Sequence, residues 1–489
     1  MKKREVQPLA PEHMAAYIDI YLNAYPAGKD LSEECWNKYY GRNLQSLQEF
    51  DYVNFFGLFE FEEDGDAPGG AASASVGAAG ASVGAAGASV GAASSGGPGA
   101  AARPDGGTLI AIMKLIDFDM NLYGEMKRAT GLMSLGVHPL HKRKGAARDM
   151  VEFFEKYTVE SGGCVAMLLP FRMDFYKKLG YGCGTKLEEY HIKTEYLPEV
   201  RDRAALEGLR LLRKDEADLA IDCYTEFVKR NHGAVCKFEE EIRDIRDDDE
   251  VRRLGYFEGD KLRGYAAFTF ENTSDCNYTL NRMNVKELVY HDADALRKLL
   301  AGLRMQSDLA QSVIIRTGEP DFYHLLESCQ DMSGNYIDFG FLQTNVSAIG
   351  TMYKIPDMAK FIEAASHRVF PAVSLTAGFC VMDDVKKTEQ KFALQFAVCE
   401  EGCCECGTPD GVSAGGCANW TYLDGEEAYD AAEVHVFCKL SDLSSLLMGS
   451  AEFGGLVRLG VIKVDKPEYV RTLDLLLHAE QKPFTNTDY

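Results

Sequence analysis

A chain of 489 residues is too long for one hydrophobic core and should divide into about two to four domains. Its 75 acidic against 52 basic side chains leave a net charge of -23, which repels polyanions, argues against a nucleic-acid partner and suits a cationic or amine substrate. No apolar run is long enough to span a bilayer, and the N-terminal stretch meets Pro8 and Pro11 before any signal-peptide core can form. The 14 cysteines fall mostly in apolar stretches, as buried thiols of a reducing compartment do. A soluble cytoplasmic protein with no membrane association is expected.

In chain order, two β-rich runs, VNFFGLFEFEED (Val53 to Asp64) and TLIAIMKLIDFDM (Thr108 to Met120), would form a hairpin but for what separates them. Asp64 to Gly107 holds three near-identical ASVGAAG units and almost no large side chains, so it cannot bury enough apolar surface to offset its ordering entropy. It is predicted to be a disordered low-complexity insertion. A strand, KRATGLMSLGV (Lys127 to Val137), then feeds a basic loop and an amphipathic helix. Ala147, Met150, Val151, Phe154 and Tyr157 fall on one face of that helix, and Arg148, Asp149, Glu152, Glu155 and Lys156 on the other. CVAMLLP (Cys164 to Pro170) is apolar throughout, which predicts a strand covered on both faces. A short helix ending at KKLGYG follows.

A second unit of similar order starts near Leu209: strand and helix, a hairpin turning at Gly259-Asp260, then strand, helix and strand through VKELVYHDADALRKLL and SVIIRT. The parallel suggests an internal duplication. Its strand-to-helix turn carries Asp292 and Asp294 and no glycine, so a phosphate would meet negative charge there. From about Gly350 a third region runs from helix IPDMAKFIEAAS through predicted strands KFALQFAVCE and EVHVFCKLSDLSSLLMG to the chain end, an α+β layer pattern.

The loop GVHPLHKRKGAARDM packs Lys142, Arg143, Lys144 and Arg148 around Gly145. A strand that turns through glycine into a helix leaves free backbone N–H groups at the helix N-terminus, where the macrodipole also favours an anion. No GxxxxGK[ST] and no dinucleotide fingerprint is present. The pattern Lys142-x-x-Gly145-x-Ala147 resembles motif A of the GNAT N-acetyltransferases, with lysine where that family has glutamine or arginine. Together with FRMDFYKKLGYG, a degenerate second half and a third region similar to the sterol carrier protein fold, the whole chain resembles the Eis-type (enhanced intracellular survival) acetyltransferases.

The resemblance implies an α+β chain of two tandem GNAT-like mixed-sheet domains, at 1–193 and 194–345, followed by a sterol-carrier-protein-like domain at 346–489. It implies acetyl-CoA as co-substrate and no metal. Contacts to acetyl-CoA fall on Val137, His138 and Pro139, on Gly145, Ala146, Ala147, Arg148, Asp149 and Met150, and on Phe171 and Arg172. Tyr176 matches the general acid, with Tyr181 as an internal control, and the terminal carboxylate of Tyr489 matches the general base. Small-molecule or peptide amines, aminoglycoside-like or lysine-like, are the implied acceptors, and a homohexamer the implied assembly.

Such a mechanism is chemically coherent. An amine must lose a proton to attack a thioester, and the departing thiolate must gain one. Amides near Leu135 to Val137 are candidate donors to the developing oxyanion. Cys399, Cys403, Cys404, Cys406 and Cys417 have irregular spacing in a Gly-rich loop, which does not read as a zinc site. The competing expectation is a non-catalytic carrier of acyl-CoA or lipid, which would tolerate a tag after Tyr489.

Overall fold

The computed structural model describes residues 3–26, 31–61, 107–201, 206–337, 340–399 and 417–487. The predicted disordered insertion, apart from Gly107, lies outside them, as do Cys403, Cys404, Cys406 and Tyr489. The chain divides into two compact units, Met1–Leu115 with Ser134–Phe153, and Ile116–Met133 with Phe154–Tyr489.

The first unit opens with β1 (Lys3–Pro8), α1 (Met14–Ala24) and α2 (Glu33–Glu49). Ser32 caps α2 by accepting from Cys35 N–H, and Glu33 and Glu34 complement its dipole. Then come β2 (Val53–Phe61), β3 (Thr108–Leu122), β4 (Glu125–Val137) and α3 (Ala146–Glu160), of which the last three run on into the second unit. Strand order here is β1-β2-β3-β4. Tyr17, Ile18, Phe55, Phe59, Leu109 and Ile112 form the core beneath α1 and α2. β3 is buried along nearly its whole length, Lys114 and Asn121 included.

In the second unit the same sheet continues through β5 (Val165–Leu168), followed by α4 (Met173–Lys178), β6 (Gly182–Cys183) and β7 (Lys186–Lys193). β4 and β5 pair in parallel, Ala129 opposite Val165, and α3 is the crossover that a parallel pair requires. After β8 (Leu209–Leu211), α5 (Ala217–Val228) and α6 (Glu239–Asp247) come β9 (Arg252–Glu258), β10 (Lys261–Asn272), β11 (Asn281–Tyr290), α7 (Ala293–Arg304) and β12 (Ser312–Thr317). The duplication is plain: β11 and β12 are again parallel and joined by α7.

A short hairpin, β13 (Tyr336–Ile337) and β14 (Phe341–Leu342), leads to β15 (Val346–Ile349) and β16 (Met352–Lys354). Here chain order and sheet membership part. β7 and β15 join the second sheet, ordered β15-β7-β12-β11-β10-β9-β8, while β16 inserts between β5 and β6 of the first.

The third sheet is built by α8 (Met358–Ala364), β17 (Phe370–Pro371), β18 (Leu375–Asp383), β19 (Thr388–Val398), β20 (Cys417–Asp424), α9 (Gly425–Asp430), β21 (Val434–Lys439), α10 (Leu440–Leu447), α11 (Phe453–Arg458), β22 (Lys463–Val464) and α12 (Val470–Leu477). Its order is β17-β20-β19-β18-β21-β22. The run read as one strand, EVHVFCKLSDLSSLLMG, is a strand only to Lys439. Beyond it Leu443, Leu446 and Leu447 return at helical spacing and all are buried. Among the described residues no helix is long and apolar enough to cross a membrane.

Candidate active site

In the first unit, β4 delivers the chain to a 3-10 turn at Pro139–His141 and then to α3. Lys142, Arg143, Lys144 and Arg148 are all exposed. Gly145 has φ +89°, and Arg143, unusually for a residue with a side chain, has φ +63°. Gly145 O accepts from Arg148 N–H at 2.9 Å and Asp149 N–H at 3.0 Å. The preceding amides of Gly145, Ala146 and Ala147 are therefore those a helix leaves without a partner in its own turns. Ala146 and Met150 are buried beneath the helix start, so the predicted contacts Gly145 to Met150 divide into an exposed edge and a packed one.

Sequence reasoning missed what holds this loop. Arg4 on β1 donates to Lys144 O at 2.8 Å and to Asp149 Oδ2 at 3.1 Å, and its Nε donates to Glu60 Oε1 at 3.2 Å. A residue 140 positions away gives no local signal. Its bond to Asp149 also turns that predicted cofactor contact inward, toward the loop's own scaffold.

At the end of β4, Val137 and His138 follow a second unforeseen clamp. The Tyr25 hydroxyl accepts from Leu135 N–H at 2.9 Å and donates to Leu135 O at 3.0 Å, and burial holds that hydroxyl above its ordinary pKa. Leu135 N–H is thus already used, and His138 N–H is spent on Ile110 O at 2.9 Å. Gly136 N–H lies on the same strand edge as that of His138, facing β3, so Val137 N–H, on the edge of Leu135, remains as the candidate oxyanion donor. His138 Nδ1 accepts from Leu140 N–H at 3.3 Å, which ties its ring to the turn holding Pro139 rather than to a reacting group.

In the second unit, Phe171 is 83% exposed, and Arg172 is held in a fork by Asp174, its Nε 3.1 Å and its Nη2 2.5 Å from the two carboxylate oxygens. Each keeps the other ionised. Tyr176 sits on α4 and is 7% exposed, its ring edge-on to Tyr181 at 5.8 Å. Tyr181 is fully buried, its hydroxyl makes no hydrogen bond, and burial drives its pKa far up, with Glu155 and Tyr176 adding to the effect. The tail Pro483 to Thr487 and Leu169, just past β5, border one cavity of about 160 Å³, together with Thr185, Tyr353 and Arg316.

The counterpart of the basic loop is filled by the chain itself. Asp292 caps α7 by accepting from Ala295 N–H at 2.8 Å and is paired with Arg263 at 2.6 Å, and these bonds hold its carboxyl below the usual range. Among the described residues no group of three or more His, Cys, Asp or Glu could hold a metal ion.

Residues 101–184 match an acetyltransferase (GNAT) domain, and residues 230–335 match a second acetyltransferase (GNAT) domain. No curated protein matches the chain by sequence. Among solved structures, a GCN5-related N-acetyltransferase from Anabaena variabilis is similar over 100% of both chains at 13% identity and a TM-score of 0.68. Eis1 from Mycobacterium abscessus is similar over 100% of both chains at 16% identity and 0.64. A GCN5-related N-acetyltransferase from Kribbella flavida, at 13% identity and 0.64, covers 100% of this chain and 99% of its own. At these identities the likeness shows the fold, and the two domain matches carry the chemical class.

Proposed function

We propose that this chain, an acetyltransferase with two GNAT domains in tandem, transfers acetyl from acetyl-CoA directly to a bound amine, with no covalent acyl-enzyme. What supports this most is the loop at the start of α3. Exposed cations and orphan amides converge there in a strongly acidic chain, whereas the same position before α7 is closed by Asp292. Gly145 through Met150, with Val137, His138 and Pro139 and with Phe171 and Arg172, hold the donor in this reading, and the Val137 amide is the donor to its carbonyl oxygen.

Tyr176 is the acid: at a reference pKa of about 10 it is protonated at neutral pH and can quench a departing thiolate. The carboxylate of Tyr489 is the base. Its reference pKa of about 3.3 to 3.7 makes it weak unless burial raises it or a water relays the proton. Acceptors are read as aminoglycoside-like or lysine-like amines, which the charge of -23 favours. The third domain as a sterol-carrier-like fold, the cytoplasm as location and a homohexamer as assembly complete the reading, the last checked by light scattering. Two variants test the chemistry: Tyr176→Phe and a chain tagged after Tyr489 should each lose most turnover while keeping the KM for acetyl-CoA. If both acetylate amines at the parent rate, the assignment of acid and base is wrong.

A further inference from the structure

Beyond α12 the chain is irregular from His478 to Thr487, with no helix or ladder of its own. Chain ends fray unless tied down. Here the ties grow denser toward the end. His232 N–H donates to Gln481 Oε1 at 3.1 Å, and Phe484 N–H donates back to His232 O at 3.1 Å. Val235 N–H donates to Thr485 Oγ1 at 3.5 Å. The Tyr224 hydroxyl on α5 lies 3.4 Å from Thr485 Oγ1 and 3.1 Å from Thr487 Oγ1, and Thr487 is only 3% exposed.

Two glycines make the gap in which this segment lies. A Cβ on Gly233, where φ is +79°, would stand 2.4 Å from Pro483 Cβ, and one on Gly318 would stand 2.2 Å from Phe484 Cδ2. Neither separation can be met without moving the tail, since packed carbon atoms sit about 3.5 to 4.0 Å apart. All five of these partners, Tyr224, His232, Gly233, Val235 and Gly318, come from the second GNAT-like region, the one whose own loop is closed by Asp292.

We infer that this second GNAT-like region is a berth that sets the register of the C-terminal tail, with Tyr224, Gly233 and Gly318 as positioning residues for the carboxylate that follows Thr487. The inference rests on reading that carboxylate as the base. Asp488 and Tyr489 together span at most roughly 7 Å, so where Thr487 is held limits where the carboxylate can reach. This gives the duplicated domain a task in the reaction although it holds no donor.

The full chain is tested as Gly318→Ala, Tyr224→Phe and Thr487→Val, reading melting temperature, KM for acetyl-CoA and kcat against pH with one amine. A positioning role predicts an unchanged KM for acetyl-CoA and a kcat at neutral pH reduced at least about tenfold, a one-ångström misplacement being worth roughly a hundredfold. The deficit should shrink as pH approaches the acceptor's own pKa, because the amine then arrives deprotonated. A loss that is equal at every pH, or that follows a fall in melting temperature, overturns the inference. So does parent kcat in Tyr224→Phe and Thr487→Val, which add no bulk and decide the matter if Gly318→Ala does not fold. A chain lacking Tyr489 is measured alongside. If it turns over at the parent rate, the base assignment itself fails; if it is crippled while the berth variants are not, only the berth fails.

Discussion

Gly145 has no heavy atom within 3.9 Å of where a Cβ would stand, so this position rejects side chains through its φ of +89° and not through lack of room. Gly145→Ala should cost about 1–2 kcal/mol of backbone strain. If the loop relieves that strain by moving, the KM for acetyl-CoA should rise about 5- to 30-fold with kcat little changed. A fall in kcat at constant KM would place the donor elsewhere. The two tyrosines of the FYKKLGY stretch make a sharper comparison. Tyr176→Phe should lower kcat by about a hundredfold, the scale of one general acid. Tyr181→Phe removes a buried hydroxyl that has no partner, so activity should persist and stability should hold or rise by about 1 kcal/mol in chemical denaturation. Opposite outcomes would exchange their roles. The basic loop and Tyr176 were legible because each lies within a short local pattern. Arg4 and Tyr25 were not, since they reach residues 140 and 110 positions away and no periodicity couples such distances.

At the scale of elements, the long strands and the helices that join parallel pairs were readable because runs of nine to fifteen residues sustain a pattern, as β2 and β3 do. β16 is three residues long and could not be seen. Ladder pairs with β5 and β6 bind it into the first sheet, and an ion pair from it to α3 corrects the polar face predicted for that helix. Glu155 is not solvated: Lys354 reaches its Oε2 at 2.6 Å and donates to Leu179 O at 2.7 Å, and burial holds the Glu155 carboxyl above its usual range despite that cation. Removing one partner strands a buried charge. Glu155→Ala should therefore cost about 3–5 kcal/mol, read as a lower urea midpoint at unchanged slope, and a joint Glu155→Leu, Lys354→Met change should recover most of it.

At the scale of the whole chain, His232 joins segments that are far apart in sequence. Its Nδ1 accepts from Tyr123 N–H at 3.1 Å and its Nε2 donates to Met448 O at 3.0 Å, so the neutral ring is the one that fits. Burial pushes its pKa down to about 4, with Arg368 acting in the same direction. Between about pH 6.5 and 4 the unfolded chain binds a proton that the folded one refuses, so stability is full above that window and is lost as pH falls through it. The parent should lose about 3 kcal/mol there that His232→Gln does not, by urea titration at each pH. Deleting Ala71 to Ala102 should leave activity and melting temperature almost unchanged, as its composition implies.

The measurement that bears most directly on the account is thiol release from acetyl-CoA by the purified chain across a panel of amines, including aminoglycosides and peptides. Saturable release with at least one amine, matched by the acetylated product, is the predicted result. Binding of acetyl-CoA with no thiol released in the presence of any amine would contradict it and leave a carrier in place of an enzyme.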